Sequence, residues 1–268
     1  MIPKIIHYCW FGSNPLSDEA KTMISTWRKF CPDYEIVEWN ESNFDVMEND
    51  YCREAYEAKK WAFVSDYVRL KILYEHGGIY MDTDVEVIKS FDSLLSHEAF
   101  LCFEGKNVSI GTFGIEAGHP LLKELMRWYD TAHYIPPEKG GKIVTNLKNV
   151  TDTLCQSYGL KRNGKLQVLG RGIVVYPMEY FIAKIYHLGW ICKTSNTYAI
   201  HHYAASWISE EEREQALLLQ HYLQSLLKMI FPFLLKTSAA CVAYKQKGII
   251  GMMQKTVSYI LKYLSNGE

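Results

Sequence analysis

The chain has 268 residues, 48% of them hydrophobic and 22% charged, with a formal net charge of −1. That length holds one large α/β domain or a domain with an appendage, and the composition excludes a disordered chain. The near-neutral balance gives no reason to expect nucleic acid, and seven scattered cysteines without a CxxC pair exclude a disulfide framework or Cys-rich zinc site and suit a reducing cytoplasm.

The opening MIPKIIHYCWFG lacks the apolar core of a secretory signal, and no run of about 18 uncharged apolar residues predicts a spanning helix. Residues 2–10 read as a buried strand. Ser17 can cap a helix carrying Asp18 and Glu19 in its first turn, which runs to Phe30 before Pro32. Residues 34–39 form a second strand, so the chain opens as a nucleotide-binding type of α/β sheet. After a loop at 40–43, helix resumes near Asp50. Residues 61–76, WAFVSDYVRLKILYEH, have helical spacing and are stopped by Gly77-Gly78.

A strand from Ile79 to Val87 follows at once. Within it Asp82, Asp84 and Glu86 fall at every second position and would share one face. Such a row is either a wet strand face or a place for concentrated negative charge. The first two acids suit a hard divalent cation, Mg²⁺ or Mn²⁺, held together with a diphosphate. Strands at 99–103 and 109–116, helices at 120–129 and 143–158, and strands at 167–176 and 197–203 complete the core. Ser209, backed by Glu210 to Glu212, starts a long helix past Leu227, in which Pro232 would introduce a kink or an end.

Asp66 and Arg69, three apart on the helix before the acidic strand, share a face and are either a surface ion pair or a guanidinium aimed at a phosphate or sugar. Trp10 is either core or a platform for a nucleobase beside Gly12. In AIHHYAASW, residues 199–207, His201 and His202 point to opposite sides of a strand, so one of them can face the site. Ser206 and Trp207 add a hydroxyl and an indole donor. From Leu217 onward six lysines (228, 236, 245, 247, 255 and 262) stand against Glu268 alone, a balance of +5. This tail either covers the core or rests on an anionic membrane surface.

The stretches IPKIIHYCWFG, FVSDYVRLKILYEHGGIYMDTDV and HHYAASW resemble the DXD-containing sugar transferases of glycosyltransferase family 32, which groups Och1-type mannosyltransferases, bacterial capsular polysaccharide transferases and clostridial glucosylating toxins. The resemblance covers residues 1–90 and 199–207. It implies an α/β, GT-A type, Rossmann-like fold with a mixed central sheet, and retaining, metal-dependent transfer from a nucleotide sugar. By motif, Trp10 would stack on the base, Asp66 and Arg69 would hold the donor sugar, and Tyr80 and Asp82 would contact ribose, sugar or a metal-bound water. Asp84 would bind the metal directly, with His202 and Ser206 closing the metal and phosphate site and Trp207 donating to the leaving diphosphate. Some members carry an acidic or amide residue where this sequence has His202.

The expectation is therefore a glycosyltransferase domain at 1–215 with a helical, Lys-rich extension at 216–268. It would move a hexose from a UDP-sugar (GDP-sugar as the alternative) to a glycan or lipid-linked glycan, with Mn²⁺ or Mg²⁺, in capsule or other surface polysaccharide assembly at the cytoplasmic face of the membrane. No glutamate, whether Glu86, Glu104 or Glu116, is nominated as a base, because the leaving phosphate oxygen can take the acceptor's proton. A nucleotide-sugar hydrolase and a non-catalytic carbohydrate-binding protein are the competing readings.

Overall fold

A computed structural model describes residues 1–136, 140–141, 146–204 and 210–234. The chain divides into two compact units, Met1–Lys184 with Lys193–Ile208, and Ile185–Cys192 with Ser209–Glu268.

The first unit begins with β1 (Ile5–Cys9), α1 (Asp18–Phe30) and β2 (Glu35–Trp39). Ser17 caps α1 through its hydroxyl, which accepts from the Ala20 amide at 3.1 Å. Acids in the first turn and Arg28 and Lys29 in the last complement the helix dipole. The stripe Ala20, Ile24 and Trp27 is buried, and the Trp27 indole donates to the Val85 carbonyl at 2.7 Å. Next come α2 (Asp50–Glu57) and α3 (Trp61–His76), then β3 (Gly78–Met81) and β4 (Val85–Val87).

Buried residues surround α3 on every side from Phe63 to Leu73, apart from Lys71. Six of them (Phe63, Val64, Val68, Leu70, Ile72 and Leu73) are apolar, at about 1.5–3 kcal/mol each. Together they outweigh the several kcal/mol per ion that burying Asp66 and Arg69 costs. Gly77 ends the helix at a φ of +64°, and its amide donates to the Leu73 carbonyl at 2.9 Å. A side chain is excluded at Gly78, where a Cβ would sit 2.7 Å from the Ile5 carbonyl oxygen.

The strands β5 (Ala99–Glu104) and β6 (Asn107–Ile115) form a hairpin, followed by α4 (Pro120–Met126) and α5 (Asn146–Tyr158). The expected strand at 167–176 is instead β7 (Gln167–Val168) and β8 (Ile173–Tyr176). Arg171 and Gly172 take positive φ values of 59° and 60° and fold the two into an antiparallel pair. Short pieces β9 (Lys184–Ile185) and β10 (Trp190–Ile191) precede β11 (Ala199–His201).

Seven strands form a mixed sheet in the order β2-β1-β3-β6-β5-β8-β7. Three pairs are parallel, β1 with β2, β1 with β3, and β5 with β8, while β6 runs antiparallel to both β3 and β5. Side chains alternate between two cores. Ile79 and Met81 of β3 pack with α1, and Tyr80 packs with α3 on the other face. A second small sheet pairs β11 with β4.

In the second unit, α6 (Glu210–Leu234) runs through Pro232, and Leu223 buries against Leu188. No helix among the described residues is long and apolar enough to cross a membrane.

Candidate functional site

The acidic segment is not one strand. β3 stops at Met81, the chain turns over Asp82 to Asp84, and β4 restarts at Val85. Three hydrogen bonds cause the break. The Asp82 amide donates to the Gly111 carbonyl at 2.8 Å, the Val85 amide closes the turn on the Asp82 carbonyl at 3.1 Å, and the His202 amide donates to the Asp84 carbonyl at 2.9 Å. Asp82 and Asp84 thus stand on a turn at the carboxyl end of β3, the end where ligands gather in open α/β sheets. Glu86 lies on β4 and is separated from them.

Behind the turn, Arg69 is held on all sides. Its Nε donates to the Ser65 carbonyl at 2.9 Å and its Nη2 to the Ser65 hydroxyl at 2.9 Å, with Asp66 Oδ1 3.1 Å from Nη2. Its Nη1 donates to the Ile110 carbonyl at 3.2 Å and lies 3.2 Å from Asp82 Oδ1. A guanidinium has five N–H donors, and five protein acceptors surround this one. The ring of Tyr80 lies 4.5 Å from the guanidinium carbon, and its hydroxyl donates to Asp82 Oδ1 at 3.1 Å. The pair is therefore buried rather than a surface ion pair, and Arg69 orients Asp82.

Asp84 is fixed from the other direction. Its Oδ2 accepts from the Ala204 amide at 2.7 Å. His201 Nε2 is 3.1 Å from Oδ1, at ion-pair distance, yet that buried oxygen receives no hydrogen bond. The His201 ring stacks on Tyr203 at 4.5 Å. One ligand atom each from Asp82, Asp84 and His201 lie within 4.8 Å of one another. Gly111 of β6 makes this concentration possible, since a Cβ there would stand 2.7 Å from Asp82 Oδ2 and 3.0 Å from His201 Cε1.

Burial lifts Asp66 to about 7 against the pull of Arg69, and burial together with the Asp84 charge raises Asp82 as well. Burial also works against the Asp84 carboxylate, but His201 and the Ala204 amide hold it at about 2. The His201 imidazolium, disfavoured by burial, is raised to about 9 by Asp84 and Asp82. A buried set of two carboxylates and one imidazole, with an orphaned carboxylate oxygen among them, fits a divalent cation that accepts oxygen and imidazole ligands.

His202 stands apart from this group. As expected from strand alternation, one of the two histidines meets the aspartates, but that one is His201. The strand β11 ends there, opposite Val85, and so delivers His201 to the residue preceding Val85. His202 falls past the strand and turns to Glu86, 2.9 Å away. Trp10 follows β1, half-buried, with its indole donating to the Asn14 carbonyl at 2.7 Å. Ser206 and Trp207 lie outside the described residues.

Three participants carry no local signal. Asn146, at the start of α5, donates to Asp66 Oδ1 at 2.5 Å across 80 residues of chain. Gly111 and the Ile110 carbonyl come from β6. Of the residues missed, only Ser65 had a clue, standing beside Asp66 one turn before Arg69.

Among known proteins, residues 17–101 match the family described as glycosyltransferase sugar-binding region containing DXD motif. The chain is 33% identical to inositol phosphoceramide mannosyltransferase 3 of Schizosaccharomyces pombe over 131 residues, which is 47% of this chain and 36% of that protein. It is 30% identical to the human alpha-1,4-N-acetylglucosaminyltransferase over 154 residues, 53% of this chain and 43% of that protein. The chain thus spans less than half the length of these curated relatives. Of solved structures, the PaToxG glycosyltransferase is similar at a TM-score of 0.46 and 20% identity, over 58% of this chain and 69% of that one. The mixed sheet, with its acidic turn at the carboxyl end of β3, agrees with the α/β fold and mixed central sheet expected from the sequence. The matched residues 17–101, which contain the whole unit of helix, glycine pair and acidic turn, are similar to the glycosyltransferase sugar-binding region containing the DXD motif.

Proposed function

We propose that the protein is a retaining, metal-dependent glycosyltransferase that moves a hexose from a nucleotide diphosphate sugar, UDP favoured over GDP, to a glycan or lipid-linked glycan. The observation that carries this reading is the grouping of Asp82, Asp84 and His201 around the unsatisfied Asp84 Oδ1, at the carboxyl end of β3. Those three residues would hold Mn²⁺ or Mg²⁺. When bound, the cation supplies positive charge where the leaving diphosphate becomes negative.

The remaining chemistry belongs to the chain. Arg69, bonded to Ser65 and Ile110 and paired with Asp66 and Asp82, keeps Asp82 at a fixed angle and neutralises part of the acidic cluster, acting as a positioning residue. Asp66, anchored by Arg69 and Asn146, is available to a sugar hydroxyl. Trp10 offers its half-buried indole face to the base, and Ser206 and Trp207 would close on the diphosphate. Transfer breaks the bond between the sugar C1 and the phosphate oxygen, and the electron pair leaves with the diphosphate. The acceptor oxygen forms the new C1–O bond, and its proton passes to the leaving phosphate oxygen, so no protein base is needed.

Residues 1–215 form the transferase in this reading, and 216–268 a Lys-rich extension that rests on the anionic inner face of the membrane. Surface polysaccharide assembly follows as the setting. The test is product analysis with UDP- and GDP-hexoses, Mn²⁺ or EDTA, and a panel of sugar and lipid-linked acceptors, on wild type and Asp84→Ala. A glycosylated product of retained configuration, lost with EDTA and in the variant, is expected. Free hexose as the sole product, with and without acceptor, would replace the transferase by a hydrolase. Sugar binding indifferent to EDTA and to Asp84→Ala would leave a binding protein.

A further inference from the structure

At the described site Arg69 is bonded to Ser65 and the Ile110 carbonyl and paired with Asp66 and Asp82. One cation beside it is in the opposite condition. Lys184 is half-buried and donates its ammonium to the His202 carbonyl at 2.6 Å. Among the described residues no carboxylate lies within ion-pair distance of it. An ammonium has three donors and no acceptor, so at least one N–H remains for another partner. A half-buried ammonium with a single protein acceptor can take a ligand oxygen in place of water.

The backbone places this cation deliberately. Residues 180–182 run beside β11 as a partner segment. The Tyr198 and Ala199 amides donate to the Tyr180 carbonyl at 2.7 and 3.2 Å, and the His201 amide donates to the Ile182 carbonyl at 3.0 Å. Ala183 then takes a φ of 45°, a left-handed conformation that costs a non-glycine residue of order 1 kcal/mol or more. It is 2% exposed, so its surroundings impose that conformation. The turn sends the Lys184 side chain along β11 to the segment that holds Asp84, close enough that the Asp84 charge acts on it.

We propose that Lys184 is a binding residue for the diphosphate of the sugar donor, supplying a positive charge on the side of the site away from Arg69. This rests on the donor-site reading above and adds a residue to it. The cation held by Asp82, Asp84 and His201 would meet the diphosphate from one side and the Lys184 ammonium from another, and the charge freed when the C1–O bond breaks would be shared between them.

Calorimetric titration of the full chain with Mn²⁺ alone, and with UDP, GDP, UMP, uridine and inorganic pyrophosphate in the presence of Mn²⁺, tests this on wild type, Lys184→Met and Lys184→Arg. Lys184→Met should weaken the diphosphates and pyrophosphate about tenfold or more, the loss of one charge-assisted contact. Uridine and Mn²⁺ alone should be unchanged, and Lys184→Arg should recover most of the loss. Unaltered diphosphate affinity in Lys184→Met, with wild type binding normally, would overturn the assignment and leave the donor site standing. An equal loss of Mn²⁺ binding would also overturn it, making Lys184 a brace for residues 202–204. A wild type that binds no nucleoside diphosphate would sink the donor site and this proposal together.

Discussion

Arg69 Nη1 and Asp82 Oδ1 stand 3.2 Å apart, joining the middle of α3 to the turn at the end of β3. The guanidinium is 6% exposed at its side chain, so this is an ion pair with little water to screen it. It couples the packing of α3 to the angle at which Asp82 faces Asp84 and His201.

Arg69→Met would leave Asp66 and Asp82 buried without their shared counter-charge. Stability should fall by about 3–5 kcal/mol, as expected for a broken buried pair, read by urea denaturation of the metal-free protein. Arg69→Lys keeps the charge and loses the fork, so it should fold while weakening Mn²⁺ binding on the order of 10–100-fold. Unchanged Mn²⁺ affinity in Arg69→Lys would show that Asp82 needs no such orientation.

The two adjacent histidines separate cleanly. His201→Ala should weaken Mn²⁺ binding at least tenfold, while His202→Ala should leave it within about twofold, because His202 is turned to Glu86. Calorimetric titration of both variants checks this. The reverse ranking would mean that the strand shifts by one residue when the cation binds.

Gly111→Ala adds a single methyl group against Asp82 Oδ2 and His201. Overpacking of this kind costs about 1–3 kcal/mol. Here the carboxylate and the ring would have to move apart, so Mn²⁺ affinity and transfer should suffer more than melting temperature does. A variant with normal metal affinity would argue that β6 has room to retreat.

His7 supplies a pH dependence of its own. Its Nδ1 accepts from the Trp39 indole at 3.0 Å and its Nε2 donates to the Gly77 carbonyl at 2.9 Å, so the neutral ring is the one that fits. Burial lowers it from 6.5 to about 4. Between those values the unfolded chain binds the proton and the folded one does not. Stability is therefore full above about 6.5 and lost as pH falls toward 4, by up to about 3 kcal/mol. Denaturant titrations from pH 7 to 4 should show this slope in wild type and a shallower one in His7→Gln. Parallel slopes would remove His7 as the cause.

Much of the framework was legible locally. The helix at 61–76, its glycine stop and the strand behind it follow from apolar spacing and from a backbone conformation that glycine adopts without strain. The Ser17 cap and the strand at 35–39 were equally local. The hairpin at 167–176 was missed because Arg171 accepts a left-handed conformation in its tight turn, and an arginine gives no sign of that.

The acidic motif itself belonged to the sequence, since two aspartates two apart after a glycine-started strand need no fold to be noticed. Its geometry was decided elsewhere. Asp82 is bent out of the strand by the Gly111 carbonyl, Asp84 is held by residues 202 and 204, and Asp66 is reached by Asn146 across 80 residues of chain. The choice of His201 over His202 depends on where β11 stops against β4. Local sequence sets propensity and spacing, because those interactions lie within a turn or two of chain. Which buried atoms converge is set by pairings between distant strands, and only the folded sheet brings those together.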